Sequence, residues 1–171
     1  DKNQDSIQYA VLEKLKEEYL VLFDDDGANE VADIVAFKEE GSVFVTELYH
    51  LKFSSSDTTG SRVKDFYEVC GQAIRSTRWI DELDKLILRL KNRERSRLNS
   101  DPKGRIEKGD YKLLDSLAQH GGRMKKEYRI FIVQPGLSAS KITENVINLL
   151  GGANEIIVET TSNKLSVICS E

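Results

Sequence analysis

The run Val43-Phe44-Val45-Thr46-Glu47-Leu48-Tyr49-His50-Leu51-Lys52-Phe53-Ser54 constrains this chain more than any other stretch. Its β-branched and aromatic residues predict a strand. Apolar side chains on both faces for most of its length predict a central strand, covered on both sides. It nevertheless ends in His50 and Lys52, two residues apart and therefore on one face. An imidazole and an ammonium closing a buried strand call for an anionic or metallic neighbour, because burying such groups unpaired is costly. The preceding strand, Val31 to Lys38, carries the carboxylate of Asp33 among apolar residues. Glu39-Glu40-Gly41-Ser42 closes the two strands into a hairpin. Counted back from that turn, Asp33 and Lys52 fall at the same end.

Other elements follow from periodicity. Asp5 to Tyr19 predicts a first helix, capped by Asp5 or Ser6, with Ile7, Val11, Leu15 and Tyr19 on its apolar stripe. On that wheel Gln8 falls near the stripe while Glu13 and Glu17 face solvent. Leu20–Phe23 predicts a short strand, and Asp24-Asp25-Asp26-Gly27 a turn. Ser54 to Ser61 is small and polar, a loop of the kind that orders around a substrate. Two helices are expected next, from about Arg62 to Arg78 (Val63, Phe66, Val69, Cys70 and Ala73 inward, Gln72 beside them) and from Trp79 to Arg97. Residues 99–109 read as a loop and Asp110–Gln119 as a helix. Tyr128–Val133 reads as a strand stopped by Pro135-Gly136. A helix from Ser138 or Ser140 to Leu150 is expected to stop at Gly151-Gly152. Glu155–Thr160 and Leu165–Cys169 then read as two late strands. This order predicts an α/β fold, a mixed central sheet flanked by helices.

Length suits a single domain spanning 1–171. At 39% hydrophobic residues the chain is globular rather than disordered. No apolar run approaches the roughly 20 residues of a membrane span. The chain begins at Asp1 with no signal peptide, which reads as a domain excised from a longer protein. Two cysteines, Cys70 and Cys169, without a spacing motif fit packed thiols in a reducing cytoplasm. The net charge of −4 hides an asymmetry. Residues 62–129 hold 18 basic against 11 acidic side chains, while the remainder holds 7 against 18. A basic middle on an acidic chain suits a polyanion-binding face, although a solvated helical surface has the same composition.

Hydrolysis of a phosphodiester needs a metal to activate water and to offset the charge that develops on the phosphorus oxygens. Hard carboxylate oxygens suit magnesium, and a neighbouring lysine offsets charge in the transition state. Asp33 and Lys52 meet that minimum. Gly-rich phosphate loops and Ser/His/Asp nucleophile signatures are absent. Asp24–Gly27 lacks the distal glutamate of a calcium loop.

Four segments carry a family resemblance: Glu30–Asp33, Leu48–Lys52, Arg62–Ala73 and Ile132–Gly136. With them the chain resembles the PD-(D/E)XK, or restriction-endonuclease-like, nuclease superfamily. The resemblance is sharper to domains attached to superfamily 2 helicases of prokaryotic restriction and defence type. The resemblance spans most of the chain outside residues 93–110. It implies a restriction-endonuclease-like fold, DNA as substrate, Mg2+ or Mn2+ as cofactor and a larger helicase-type chain as partner. Asp33 matches the family's metal-binding aspartate, Lys52 its catalytic lysine, and Gln72 the glutamine placed near metal and phosphate. The second acidic position falls on His50, a departure. An imidazole can ligate a metal but brings no negative charge. Glu47 lies at odd spacing from Lys52 and so on the opposite face, whereas Glu30 is placed to supply the missing carboxylate. Gln8 stands where many members carry a first-helix glutamate.

Plainer alternatives stay open at this point. Asp33 and Lys52 can form a structural ion pair, His50 can be a hydrogen-bonded core histidine, and Gln72 can simply pack. The expected function is a metal-dependent DNA endonuclease domain with Asp33, His50, Lys52 and Gln72 as catalytic residues. Asp33, His50 and Glu30 are its expected metal ligands. Arg75, Arg78, Arg89, Arg93, Arg95 and Arg97 are the phosphate contacts. The alternative is an inactive nuclease-fold module for DNA binding or docking. A small-molecule enzyme is disfavoured by the absence of a cofactor fingerprint.

Overall fold

The two-sided apolar run becomes strand β3 (Val43–Leu51), buried at seven of its nine positions and central to the sheet. The computed structural model describes residues 6–52 and 63–170. Ahead of β3 come helix α1 (Ile7–Leu15) and strands β1 (Val21–Asp24) and β2 (Ile34–Glu40). After it come α2 (Val63–Ser76), α3 (Leu83–Leu98), β4 (Ile106–Lys108), α4 (Tyr111–Gly121), β5 (Lys125–Ser138), α5 (Glu144–Thr161) and β6 (Leu165–Ser170). The expected 54–61 loop lies outside the described residues.

The sheet runs β4-β1-β2-β3-β5-β6 and is mixed. β1, β2 and β3 form an antiparallel meander, with β4 antiparallel to β1. β5 joins β3 in parallel and β6 joins β5 in parallel. A parallel join needs a long crossover, here the α2–α4 region with β4 inside it. Alternation along each strand divides the core. Val35, Phe37, Phe44, Leu48, Ile130 and Ile132 pack under α2, α3, α4 and α5. Leu22, Ile34, Ala36, Tyr49 and Val133 pack under α1. The protein is therefore an α/β domain with helices on both sheet faces, as its residue pattern predicts. No helix among the described residues is long and apolar enough to cross a membrane.

Four expectations are corrected. Residues 155–160 are not a strand, because α5 passes through Gly151 and Gly152 and continues to Thr161. Val146, Ala153 and Ile157 are buried on it with Leu149 and Leu150 beside them, which is helical spacing. Burying that stripe outweighs the roughly 1 kcal/mol that each helical glycine costs. The helix stops at Ser162, which takes the left-handed conformation (φ 59) and donates its N–H to the Val158 carbonyl. Second, the 99–109 stretch contains β4, which pairs with the edge of β1. Third, β5 continues past Pro135 to Ser138, and the proline falls where the β5–β6 register breaks. Fourth, α3 begins at Leu83, after a 3-10 turn at Thr77–Trp79.

The continuity of α5 can be tested directly. Among the described residues a Cβ on Gly151 would meet nothing within 4 Å, so Gly151→Ala is expected to stabilise the protein by about 0.5–1 kcal/mol. For a domain of this size that is a rise in Tm of about 1–4 °C by calorimetry. A lowered Tm would place a helix break at that residue.

Candidate active site

Asp33 lies one residue before β2, and by alternation with Val35 and Phe37 it is on the sheet face that α2 covers. His50 and Lys52 follow Phe44 and Leu48 onto the same face. Asp33 and Lys52 are not each other's partner. Asp33 Oδ2 accepts the Leu51 backbone N–H at 2.8 Å, just where the β2–β3 ladder ends. Lys52 Nζ reaches Glu68 Oε2 on α2 at 2.7 Å, and that hydrogen bond lowers the Glu68 pKa. The Lys52 backbone N–H donates to the Val133 carbonyl at 3.0 Å, so the lysine is anchored across β3 and β5.

Gln72, one turn along α2 from Glu68, donates from Nε2 to Glu30 Oε1 at 3.0 Å. Glu30 Oε2 accepts the Gly27 N–H at 2.9 Å. Asp26, Glu30 and Asp33 each bring a carboxylate oxygen within 4.8 Å of the other two. Two ligands on opposite sides of a magnesium ion at about 2.1 Å each stand about 4.2 Å apart. Three hard oxygens at this separation are thus of the right chemistry and near the right spacing for one small divalent cation. The trio, Lys52, Glu68 and Gln72 line one cleft of about 540 Å³, with Arg75, Arg78, Trp79 and Arg89 also on its walls.

The loop that carries the acids is held from within. Asp25 is 0% exposed. Its Oδ2 accepts the Val31 N–H at 2.8 Å, and its Oδ1 is bound by Arg93 Nε. The rest of the Arg93 fork holds the Ala28 and Asp25 carbonyls, each at 2.7 Å. Arg89 donates to the Asn29 carbonyl at 2.8 Å and Arg105 to the Asp26 carbonyl at 2.8 Å. A planar five-donor fork suits this task of bridging a carboxylate and carbonyls together.

Several expected site residues therefore divide in role. Arg93 is spent inside the fold, and Arg97 faces Asp101 at 3.7 Å. Arg75 and Arg78 are exposed on the cleft wall, with Arg78 lying over the Trp79 ring. Arg95 is exposed on α3. His50 lines the cleft but stands outside the carboxylate trio. It is 1% exposed, with Nε2 2.8 Å from Ser76 Oγ. Ser76 in turn donates to the Val31 carbonyl at 3.1 Å. Burial, and then the Arg75 charge, push His50 down to about 3, so it is neutral at physiological pH. The imidazole ties α2 to the sheet, and the acidic group that stands with Glu30 and Asp33 is Asp26. Gln8 donates to Asp24 Oδ1, while Glu13 is exposed beside Lys16.

Two residues of the site were not singled out by the sequence. Asp26 belongs to a run that reads as a turn, and only its return toward Glu30 and Asp33 brings it into the acidic group. Glu68 could have been found, since it stands four residues before Gln72 on one helix face. Comparison of the chain with protein-family models, curated proteins and solved structures returns no significant match.

Burial first, then the charges of Glu30 and Asp26, push Asp33 up to about 7, although the Leu51 N–H opposes them. Burial, with the charges of Asp26 and Asp25, likewise raises Glu30. The folded protein keeps a proton on Asp33 at pH values where the unfolded chain, near 3.8, has lost it. Its stabilising contribution is full below about pH 4 and is lost as pH rises through about 7. His50 acts in the opposite sense, costing stability as pH falls below 6.5. The difference between wild type and Asp33→Asn isolates the first effect. In EDTA, the Tm advantage of Asp33→Asn is expected to grow from pH 4 to about pH 7.5. An advantage independent of pH would mean that Asp33 is not proton-linked.

The two arginines that the sequence treats as equals should separate. Arg93→Ala leaves Asp25 a buried charge without its main partner and is expected to cost about 3 kcal/mol by urea denaturation. Arg95→Ala is expected to change stability by less than about 0.5 kcal/mol.

Proposed function

We propose that this domain hydrolyses phosphodiester bonds of DNA with a divalent metal, Mg2+ or Mn2+. It would do so as the nuclease-like part of a restriction- or defence-type helicase protein in the cytoplasm. The reading rests chiefly on one observation: three carboxylates, a lysine and a glutamine line one cleft with exposed arginines at its wall. Catalytic carboxylates alone would repel a phosphate backbone, and basic residues alone would bind it without cutting. Their juxtaposition suits a polyanion bound across a cation.

In this reading Asp26, Glu30 and Asp33 hold the cation. When bound, it supplies a Lewis acid and lowers the pKa of water. Gln72 keeps Glu30 turned toward the cluster through its amide. Lys52 exchanges Glu68 for a phosphate oxygen and offsets the charge that develops there. Arg75, Arg78 and Arg89 line the cleft where the phosphates flanking the cleaved bond would pass. The free thiols of Cys70 and Cys169 fit the reducing compartment.

A second reading has one observation in its favour. The position of the family's second acid is a buried, neutral histidine, as a domain that kept the fold for DNA binding or docking would tolerate. Asp26 weighs against it, because it restores the third carboxylate.

Nicking of supercoiled plasmid separates the two. The wild-type chain is expected to nick with Mg2+ or Mn2+ and to stop in EDTA. Asp33→Ala and Lys52→Ala are each expected to lose about 10²–10³-fold in rate. Salt-sensitive DNA retention in a gel shift without nicking would select the inactive module. Nicking unaffected by both substitutions would remove the site.

A further inference from the structure

On α2 the residues Tyr67, Gly71 and Arg75 recur every fourth position and so form one stripe, about 12 Å long at 1.5 Å per residue. The stripe is open. Tyr67 is 64% exposed, large for an aromatic side chain. Gly71 and Arg75 are exposed as well. A second groove of about 460 Å³ runs over them, lined by Tyr67, Glu68, Gly71, Gln72 and Arg75. It shares Glu68, Gln72 and Arg75 with the cleft of the acidic trio, so the two are continuous.

Gly71 has no reason internal to the described structure. A glycine in mid-helix costs roughly 1 kcal/mol relative to alanine. Among the described residues a Cβ there would meet nothing within 4 Å, so their packing does not demand the missing side chain. Gly151 and Gly152 on α5 are equally bare, but neither lines either groove. At Gly71 the absence of a side chain lowers the floor of a groove between a bare aromatic ring and a guanidinium. Arg75 makes no hydrogen bond or ion pair among the described residues. The negative charge beside the groove, Glu68, is paired with Lys52 in the free protein.

From this we infer that the groove across α2 is a path for single-stranded DNA leading out of the cleft. One unpaired base stacks on Tyr67 over the bare backbone of Gly71, and Arg75 holds the phosphate between that base and the cleavage position. An aromatic face and a cationic groove are the pairing that binds single strands without regard to sequence. A base inside a duplex is already stacked on both faces and has none to give Tyr67. The inference deepens the nuclease reading and depends on it for the direction of the path; it names the strand state of the substrate.

The test uses the 171-residue chain and a fluorescent ten-nucleotide DNA, single-stranded or annealed, with binding followed by anisotropy in EDTA, where hydrolysis is off. Wild type is expected to bind the single strand at least tenfold tighter than the duplex. Tyr67→Ala is expected to weaken single-strand binding about tenfold, and Tyr67→Phe, which keeps the ring, to restore it. Gly71→Leu fills the groove without touching the core. It is expected to weaken binding at least tenfold while leaving Tm equal or higher, so loss of folding is not the cause. Equal affinity for single strand and duplex, or wild-type binding by both Gly71→Leu and Tyr67→Ala, would overturn the path. Cleavage of the single-stranded ten-mer in Mg2+ or Mn2+, with Asp33→Ala as control, reports separately on the nuclease reading. Asp33-dependent cleavage with wild-type binding in the α2 variants keeps that reading and removes the path. Weakened binding in those variants without any cleavage of the single strand by wild type removes the catalysis and keeps the path.

Discussion

One buried carboxylate fixes the place where chemistry is possible. Asp25 is fully enclosed, and a charge in that position is tolerated only if its lone pairs and its field are both answered. The Val31 N–H, the Arg93 fork and the nearby Arg105 answer them. The same arginines take up the carbonyls of Asp25, Asp26 and Ala28, which lie in no helix or strand. A connection between β1 and β2 with no regular structure thereby gains a defined shape. Asp26, Glu30 and Asp33 are presented from it into one cleft although their charges repel. Burial first, and that repulsion after it, raise the pKa values of Asp33 and Glu30.

The sheet keeps two sets of charges apart by the pleat alone. Glu47 is 2% exposed and belongs to the α1 face. There it meets the hydroxyls of Tyr19 and Tyr49, Arg129 at 3.0 Å and Lys38 at 3.7 Å. Each of its oxygens is occupied, and the cluster extends through Arg129 to Glu40 and Glu127. It is a closed structural network. His50 and Lys52, at even spacing from Leu48, look the other way, toward α2. One strand thus serves stability on one face and a cleft on the other, because successive residues cannot share a face.

How much was legible depended on the range of the interaction that decided each feature. The hairpin of β2 and β3, the inward stripes of α2 and α3, and the joint location of Asp33 and Lys52 follow from residue spacing, whereas the place of Gln72 beside them came only from the family resemblance. The fate of Gly151-Gly152 did not, since local propensity favours a stop there and a buried stripe from Val146 to Ile157 overrode it. The arginines of α3 were equally opaque. Arg93 and Arg95 differ by two positions, which on a helix is the difference between facing the 25–29 loop and facing solvent. Nothing in the sequence says which side that loop occupies.

By itself the sequence determined the alternation that places an acid and an amine at one end of a hairpin, and the helix that must cover that end. Both are local, set by a period of two or of 3.6 residues. Only the tertiary structure decided which groups surround them. It drew Lys52 to Glu68, set His50 against Ser76 and brought Asp26 to Glu30 and Asp33. Those contacts join residues from an irregular loop, a strand end and a helix, and their meeting depends on where Arg93 and Arg105 hold the loop, a matter of distances in space that no spacing along the chain encodes.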